Sequence, residues 1–432
     1  MIMKNNSTID YLIKLGERYF KTDLMYLVKG SFWLTVGRVM ASVVALFLSV
    51  LYANYLPKEI YGDYRYILSV LGALGIFALP GLATVIIRGV ARGFHGTFIL
   101  GMRMIFISSF GITLLSFIIA GWCMFIGRGD LALGFLSAAL FVPFAEGLGN
   151  WRAYLEGRQE FKKKTNWNIL STLWYGIFMS FAVGIIYVYS LANFQSLIIL
   201  LSFYFLGRAL PNIWYTKKAL REIDKGSPAE DGAIRYGLHL SLLEIPSTLA
   251  NYLDAILLHA FIGPAGLAVY SFAIAPPEQL KGFMGTTAIA AFPKLAARAE
   301  TEKIRIGLRN TLPGKIIRST YITAAVSLMY IVAAPYLFSF FFPKYTDAVI
   351  YSQVFVLSLA CFPFGLFGAA LKAEGNLKSI YFYQLGSPVI QIVLFALLIP
   401  LYGLWGAISA RVIGRSITYL LGFGFYKYYA IS

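Results

Sequence analysis

Glu244, Ser247, Thr248, Asn251 and Asp254 recur at steps of three and four, which places them on one stripe of a helix whose remaining faces are mostly Leu, Ile and Ala. The next helix carries Pro276, Pro277, Glu278 and Lys281 near its middle, Arg38 lies in the first apolar run, and Arg411 and Arg415, four apart, share one face of the last. Two kinds of chemistry follow. A guanidinium offers two parallel donors to phosphate-like or carboxylate oxygens. A carboxyl withdrawn from water is pushed toward its protonated form, so Asp254, Glu244 and Glu278 are candidates to take up and release a proton or sodium ion. Structural pairing competes with both: Arg38 with Glu244, Glu278 with Lys281 three residues on, Asp254 between helices, and Arg411 and Arg415 on carbonyls. Glu146, beside Gly147 and Gly149, reads as structural, and Arg208 as a side chain reaching out to the interface.

The elements that hold these residues are membrane helices. Hydrophobic residues make up 59% of the 432 residues and charged residues 13%, about half the usual 25% of a soluble domain, and the mean hydropathy is +0.70. Continuous apolar runs exclude an alternating β-barrel pattern. At about 20 residues per span, twelve fit, with cores near 31–56, 65–87, 104–127, 131–154, 166–190, 193–216, 236–262, 266–292, 318–342, 347–371, 380–401 and 403–428. The net charge of +17 is distributed as topology rather than as a nucleic-acid surface: 28 Lys and Arg fall in the N-terminal tail, the alternate loops and the C-terminus. Only four, Lys58, Arg65, Arg128 and Lys344, fall on the opposite side, and five lie inside spans. This predicts cytoplasmic termini in a multi-pass membrane protein, with contacts to anionic membrane lipid. Residues 1–30 alternate apolar and charged positions as an amphipathic helix on the membrane surface, not a cleaved leader. Cys123, Cys361 and three scattered histidines show no metal-ligand spacing, and no cofactor is expected.

The chain repeats itself. Tyr55 to Tyr64 matches Phe261 to Tyr270 at an offset of 206, which also pairs Arg88 with Lys294 and Arg38 with Glu244; Glu156-Gly157-Arg158 matches Glu374-Gly375-Asn376 at 218. Six spans per half enter the membrane in the same orientation. The expected fold is therefore all-α and integral to the membrane, with about twelve transmembrane helices in two six-helix halves, 31–216 and 236–432, joined by a linker at 217–235. The halves would be related by a pseudo-two-fold axis along the membrane normal, with a site between them and alternating access.

Four segments carry a family resemblance: Leu56 to Tyr64; Asp254 to Leu258 followed by Gly263, Gly266 and Tyr270 to Ala273; Phe292 to Leu295; and Leu398 to Ala410. Together they resemble the polysaccharide flippases of the multidrug/oligosaccharidyl-lipid/polysaccharide exporter superfamily, over nearly all of residues 29–428. The resemblance implies movement of polyprenyl-pyrophosphate-linked oligosaccharide from the inner to the outer leaflet of the cell membrane, for cell-surface polysaccharides such as O-antigen. Polysaccharide-assembly proteins would be partners, and nucleic acid would not. Among the substrate-binding candidates Arg38, Lys281, Arg411 and Arg415, Arg38 and Lys281 would then contact the pyrophosphate, with Arg411 and Arg415 enlarging the positive field, and Tyr252 and Tyr270 could stack on sugars. A drug or small-cation exporter of the same fold is the main alternative, and a lipid II flippase, usually with about fourteen spans, another. An enzyme fits poorly, because the outer loops are short and hold no acid/base cluster. A scaffold without transport would not explain buried charges in matched halves.

Overall fold

The computed structural model describes residues 24–224, 226–298, 302–367 and 385–431. The expected surface helix at 1–30 falls mostly outside them, as does Glu374-Gly375-Asn376. The first half comprises α1 (Leu24–Tyr55), α2 (Lys58–Leu74), α3 (Gly81–Ala91), α4 (Gly96–Phe125), α5 (Gly129–Ala139), α6 (Val142–Gly147), α7 (Trp151–Gly157), α8 (Phe161–Tyr189) and α9 (Asn193–Leu220). The second comprises α10 (Ala233–Leu243), α11 (Ile245–Ile262), α12 (Pro264–Arg298), α13 (Glu302–Phe341), α14 (Val349–Val356) with flanking 3-10 turns, and α15 (Ser387–Ile431). Among the described residues eight helical stretches are long and apolar enough to cross a membrane, and two bent pairs, 58–91 and 129–157, bring the total to ten.

Two features reconcile ten with twelve. One is α12, which has the length of a span but a polar middle at Pro276, Pro277, Glu278 and Lys281. The other is α15, whose 45 residues would extend roughly 65 Å if straight, twice a bilayer core. The chain turns back at Gly403, where φ is +57° and ψ −126°, a conformation open to glycine. Beyond the turn the arms pair antiparallel: Gln391 Nε2 donates to the Ala410 carbonyl (3.0 Å) and the Ser387 and Thr418 hydroxyls meet (2.7 Å). The fold is thus all-α, with twelve membrane helices as two six-helix halves.

The repeat is visible in the backbone. α2 begins at Lys58 and α12 at Pro264, 206 residues apart. These counterparts also touch, because a Cβ on Gly62 would lie 1.9 Å from the Pro264 carbonyl oxygen. Around this contact a shared core joins the halves, with Tyr61, Tyr64, Phe272, Phe338 and Tyr345 packed together. Polar ties close the same end: Lys58 Nζ to Asp347 Oδ2 (3.0 Å), Asn54 Nδ2 to the Phe341 carbonyl (3.1 Å), and His259 Nε2 to Asp63 Oδ1 (2.7 Å) with Tyr66 stacked on the imidazole. At the opposite end α3 packs on α10, where the Gly81 amide donates to Ser241 Oγ (3.1 Å), and Glu230 accepts from Arg88 and Arg92. The outer surface is apolar, with Phe125 83% and Phe340 80% exposed, as lipid-facing side chains should be.

The halves are not mechanically alike. In the first, Leu79 (φ +48°) and Pro80 bend the second span by 46°. In the second, α12 runs unbroken through Pro276 and Pro277. Gly62→Val should therefore destabilise the protein by about 3 kcal/mol through overpacking of α2 against α12. Gly75→Ala, with nothing within 4 Å of its Cβ, should stay within about 1 kcal/mol of wild type; thermal unfolding in detergent reads both.

Candidate functional site

Between the halves lies a cavity of about 520 Å³. α2 contributes Arg65 and Ser69, α6 Glu146, and α9 Tyr204 and Arg208 from the first half; α11 contributes Thr248, Asn251, Tyr252 and Asp254, α12 Tyr270 and Ser271, and α15 Arg411 from the second. A smaller chamber adjoins it on each side. One of about 280 Å³ lies in the first half and shares Tyr204 and Arg208 with the central cavity; one of about 230 Å³ lies in the second and shares Asn251 and Arg411.

The polar stripe on α11 sets the geometry of the second half. Thr248, Asn251 and Asp254 face the central cavity, while Ser247 and Asn251 line the smaller chamber. Asp254 is 1% exposed and is held by several donors at once. Arg411 Nε donates to its Oδ2 (2.6 Å), Arg411 Nη2 and the Tyr270 hydroxyl close on the same oxygen, and the Ala255 amide donates to Oδ1 (2.8 Å). One turn along α15, Arg415 pairs with Glu278 and donates to Ser358 Oγ (3.3 Å); Lys281 Nζ lies 3.6 Å from Glu278 Oε2. Five of the seven residues singled out from the sequence, Asp254, Glu278, Lys281, Arg411 and Arg415, thus form one network of three cations and two carboxylates. Arg411 and Arg415 bind carboxylates rather than carbonyls.

The other two lie apart. Arg38 is exposed on α1 and has no carboxylate within 4 Å among the described residues, and Glu244, half-buried at the junction of α10 and α11, likewise has no cation there. The pair expected from the repeat is not formed. Glu244 instead accepts the Ser247 and Thr248 hydroxyls on its backbone carbonyl (2.9 Å each).

Three arginines need correcting. Arg65 is not in a loop: α2 starts after Pro57, so Arg65 sits two turns in and faces the central cavity. Its Nε is buried with no hydrogen-bond partner, and no carboxylate lies within 4 Å among the described residues. Arg208 does not reach out to an interface; it lines the cavity, with Nη1 2.8 Å from Glu146 Oε1 and donating to the Tyr204 hydroxyl (2.8 Å). Arg152, one of the 28 cations expected on the cytoplasmic side, stands in α7 and lines the first-half chamber. The helix-start signal of Pro57-Lys58-Glu59 could have found Arg65; nothing local marks the other two.

Net positive charge, polar groups and aromatic rings therefore converge in a cleft between two six-helix halves, which is the build of a membrane transporter. A family profile described as polysaccharide biosynthesis protein matches residues 27–298, more than half of the chain, and the chain belongs to that family. No curated protein matches it. Among solved structures it is similar to a MATE transporter in complex with MaD5 (15% identity, TM-score 0.65, 93% of this chain and 94% of that one). It is also similar to the lipid II flippase MurJ in an inward closed conformation (14%, 0.64, 93% and 87%). A third is a MOP superfamily transporter from Pyrococcus furiosus, described by a reverse polarity of its binding pocket (15%, 0.59, 93% and 94%). At these identities the likeness is one of fold. The chain is thus a member of the polysaccharide biosynthesis protein family that shares the fold of these transporters.

Removing one partner from a buried ion pair leaves an uncompensated charge, at a cost of roughly 3–5 kcal/mol. Asp254→Asn and Arg411→Gln should each destabilise by about 3 kcal/mol, and the double variant by much less than their sum; thermal unfolding of all four proteins in detergent measures the coupling.

Proposed function

We propose that the protein flips a polyprenyl-pyrophosphate-linked oligosaccharide from the inner to the outer leaflet of the cell membrane, by alternating access between halves 31–216 and 236–432. The observation that carries the reading is charge balance. Arg65, Arg208 and Arg411 line the central cavity against Glu146 and Asp254, and Arg65 has no carboxylate within 4 Å among the described residues. Such a cavity attracts an anionic head group and repels the cations that a drug exporter of the same fold would carry. The polar walls can hydrate a sugar chain while the polyprenyl tail remains in lipid. Tyr252, partly exposed on the wall, offers a face for a sugar ring, whereas Tyr270 is buried with its hydroxyl held by Asp254.

In this reading Lys281, Arg411 and Arg415 supply the positive field from the second half, and the pyrophosphate competes with Asp254 and Glu278 for them. Arg38 is exposed on α1 and does not line the cavity. The distribution of Lys and Arg supports cytoplasmic termini, which puts the Lys58–Asp347 end outside and the Glu230 end inside. Membrane lipid surrounds the protein, and proteins that assemble polysaccharide would receive the product.

For ion coupling, Glu244 is the one of the three candidates with no cation within 4 Å among the described residues, whereas Asp254 and Glu278 are already neutralised. An unpaired carboxylate at membrane depth takes a proton or a small cation, so we assign the first coupling step to Glu244, with Asp254 and Glu278 released later as cargo displaces them. Collapsing the ion gradient should slow transport by wild type and leave the residual transport of Glu244→Gln unchanged; equal sensitivity would move the coupling elsewhere.

The decisive assay is leaflet exposure of a labelled polyprenyl-pyrophosphate oligosaccharide in proteoliposomes. Wild type should expose it, and Arg65→Gln and Lys281→Ala should be at least tenfold slower, the equivalent of about 1.4 kcal/mol. Passage of small cations without glycan exposure would instead establish the exporter.

A further inference from the structure

The first-half chamber holds an arginine for which the central site has no use. It is lined by Arg152, Ser171, Thr172, Tyr175, Tyr204 and Asn212, beside Arg208 at its mouth. Arg152 is fixed in place by neutral acceptors only. Its Nε donates to Asn168 Oδ1 (3.0 Å), its Nη1 to the Gly149 carbonyl (3.3 Å) and Asn212 Oδ1 (3.4 Å), and its guanidinium lies 4.4 Å from the Trp151 ring centroid. Asn212 is itself oriented, because its Oδ1 also accepts from Trp151 Nε1 (3.1 Å) and its Nδ2 donates to the Ala145 carbonyl (2.7 Å). No carboxylate lies within 4 Å of Arg152 among the described residues, and the chamber's nearest acid, Glu146, is engaged by Arg208 at 2.8 Å. Nη2 makes no hydrogen bond among them. One whole positive charge is thus held rigid and uncompensated inside a membrane-spanning half, an arrangement expensive enough to imply a ligand.

Charge and size define that ligand. A single unmatched cation balances one negative charge, whereas a pyrophosphate would leave the chamber net negative. At about 280 Å³ the space lies just below the roughly 300–1,000 Å³ of drug-sized sites, on the scale of one sugar ring. The remaining wall suits a sugar, with the Tyr175 and Tyr204 rings for its apolar face and amides and hydroxyls for its own hydroxyls. A carboxylate is matched by the donor edge of a fixed guanidinium. We propose that this chamber is a subsite for one carboxylate-bearing sugar, a uronic acid or its like, within the cargo, with Arg152 binding the carboxylate and Asn168 and Asn212 positioning Arg152. The proposal rests on the reading that the cargo is a lipid-linked oligosaccharide, and it adds that this oligosaccharide is acidic.

The test uses the full-length protein in two assays. In proteoliposomes, polyprenyl-pyrophosphate disaccharides ending in glucuronic acid or in glucose are compared for leaflet exposure. In detergent, free glucuronate and free glucose are compared for their effect on the thermal unfolding midpoint. Wild type should expose the acidic lipid at least tenfold faster than the neutral one and be stabilised by glucuronate alone. Arg152→Gln should bring the two exposure rates within twofold of each other and abolish the stabilisation. If Arg152→Gln fails to accumulate, Asn168→Ala, which frees Arg152 to swing, should weaken glucuronate several-fold, and an unchanged affinity there overturns the proposal. Equal exposure of both lipids by wild type, without stabilisation by glucuronate, also overturns it while leaving the flippase reading intact. Exposure of neither lipid, with stabilisation by glucuronate that depends on Arg152, keeps the acidic-sugar chamber and removes the flippase reading.

Discussion

An almost fully buried carboxylate in a membrane protein has to be neutralised where it stands, and Asp254 dictates much of what surrounds it. Arg411, the Tyr270 hydroxyl and the Ala255 amide converge on it. Arg411 can do so only because α15 folds back at Gly403 and returns a cation to the depth of α11. Tyr270 can do so only because α12 starts immediately after Gly263 and runs alongside. Three helices of the second half are fixed in register by one side chain, and Arg415, Glu278 and Lys281 follow from that register one turn further along.

Against this neutralised second half, the first half is left with surplus positive charge. Arg208 has Glu146, but Arg65 and Arg152 have no carboxylate within 4 Å among the described residues. The difference separates two uses of the same residue type. A guanidinium closed on a carboxylate ties helices together and meets an incoming anion only by exchange. One held by amides, or by nothing, presents its charge to whatever enters. The three adjoining cavities therefore grade from a structural network in the second half to cationic sites without a carboxylate partner in the first.

Much of this was legible beforehand. Runs of apolar residues located the membrane helices, and the match between Tyr55–Tyr64 and Phe261–Tyr270 located two helix starts 206 residues apart. The polar stripe from Glu244 to Asp254 was a stripe, although it divides between two cavities. What failed was the depth of individual cations. Arg65 and Arg152 sit close to span boundaries, where a shift of a few residues moves a side chain from loop to cavity wall, and periodicity does not fix boundaries that finely. Pairing failed for a different reason. Repeat mates such as Arg38 and Glu244 occupy equivalent places in separate halves, and equivalence by symmetry is not contact.

The unequal treatment of proline in the two halves has a mechanical meaning. In the first, Pro80 interrupts the hydrogen-bond ladder beside a left-handed Leu79, and the helix gives way at that joint. In the second, Pro276 and Pro277 are absorbed by a helix that stays continuous over 35 residues. One half contains an elbow where the other contains a beam. Under the same load the two would answer differently: a continuous helix passes displacement along its length, whereas a bent one flexes at its joint.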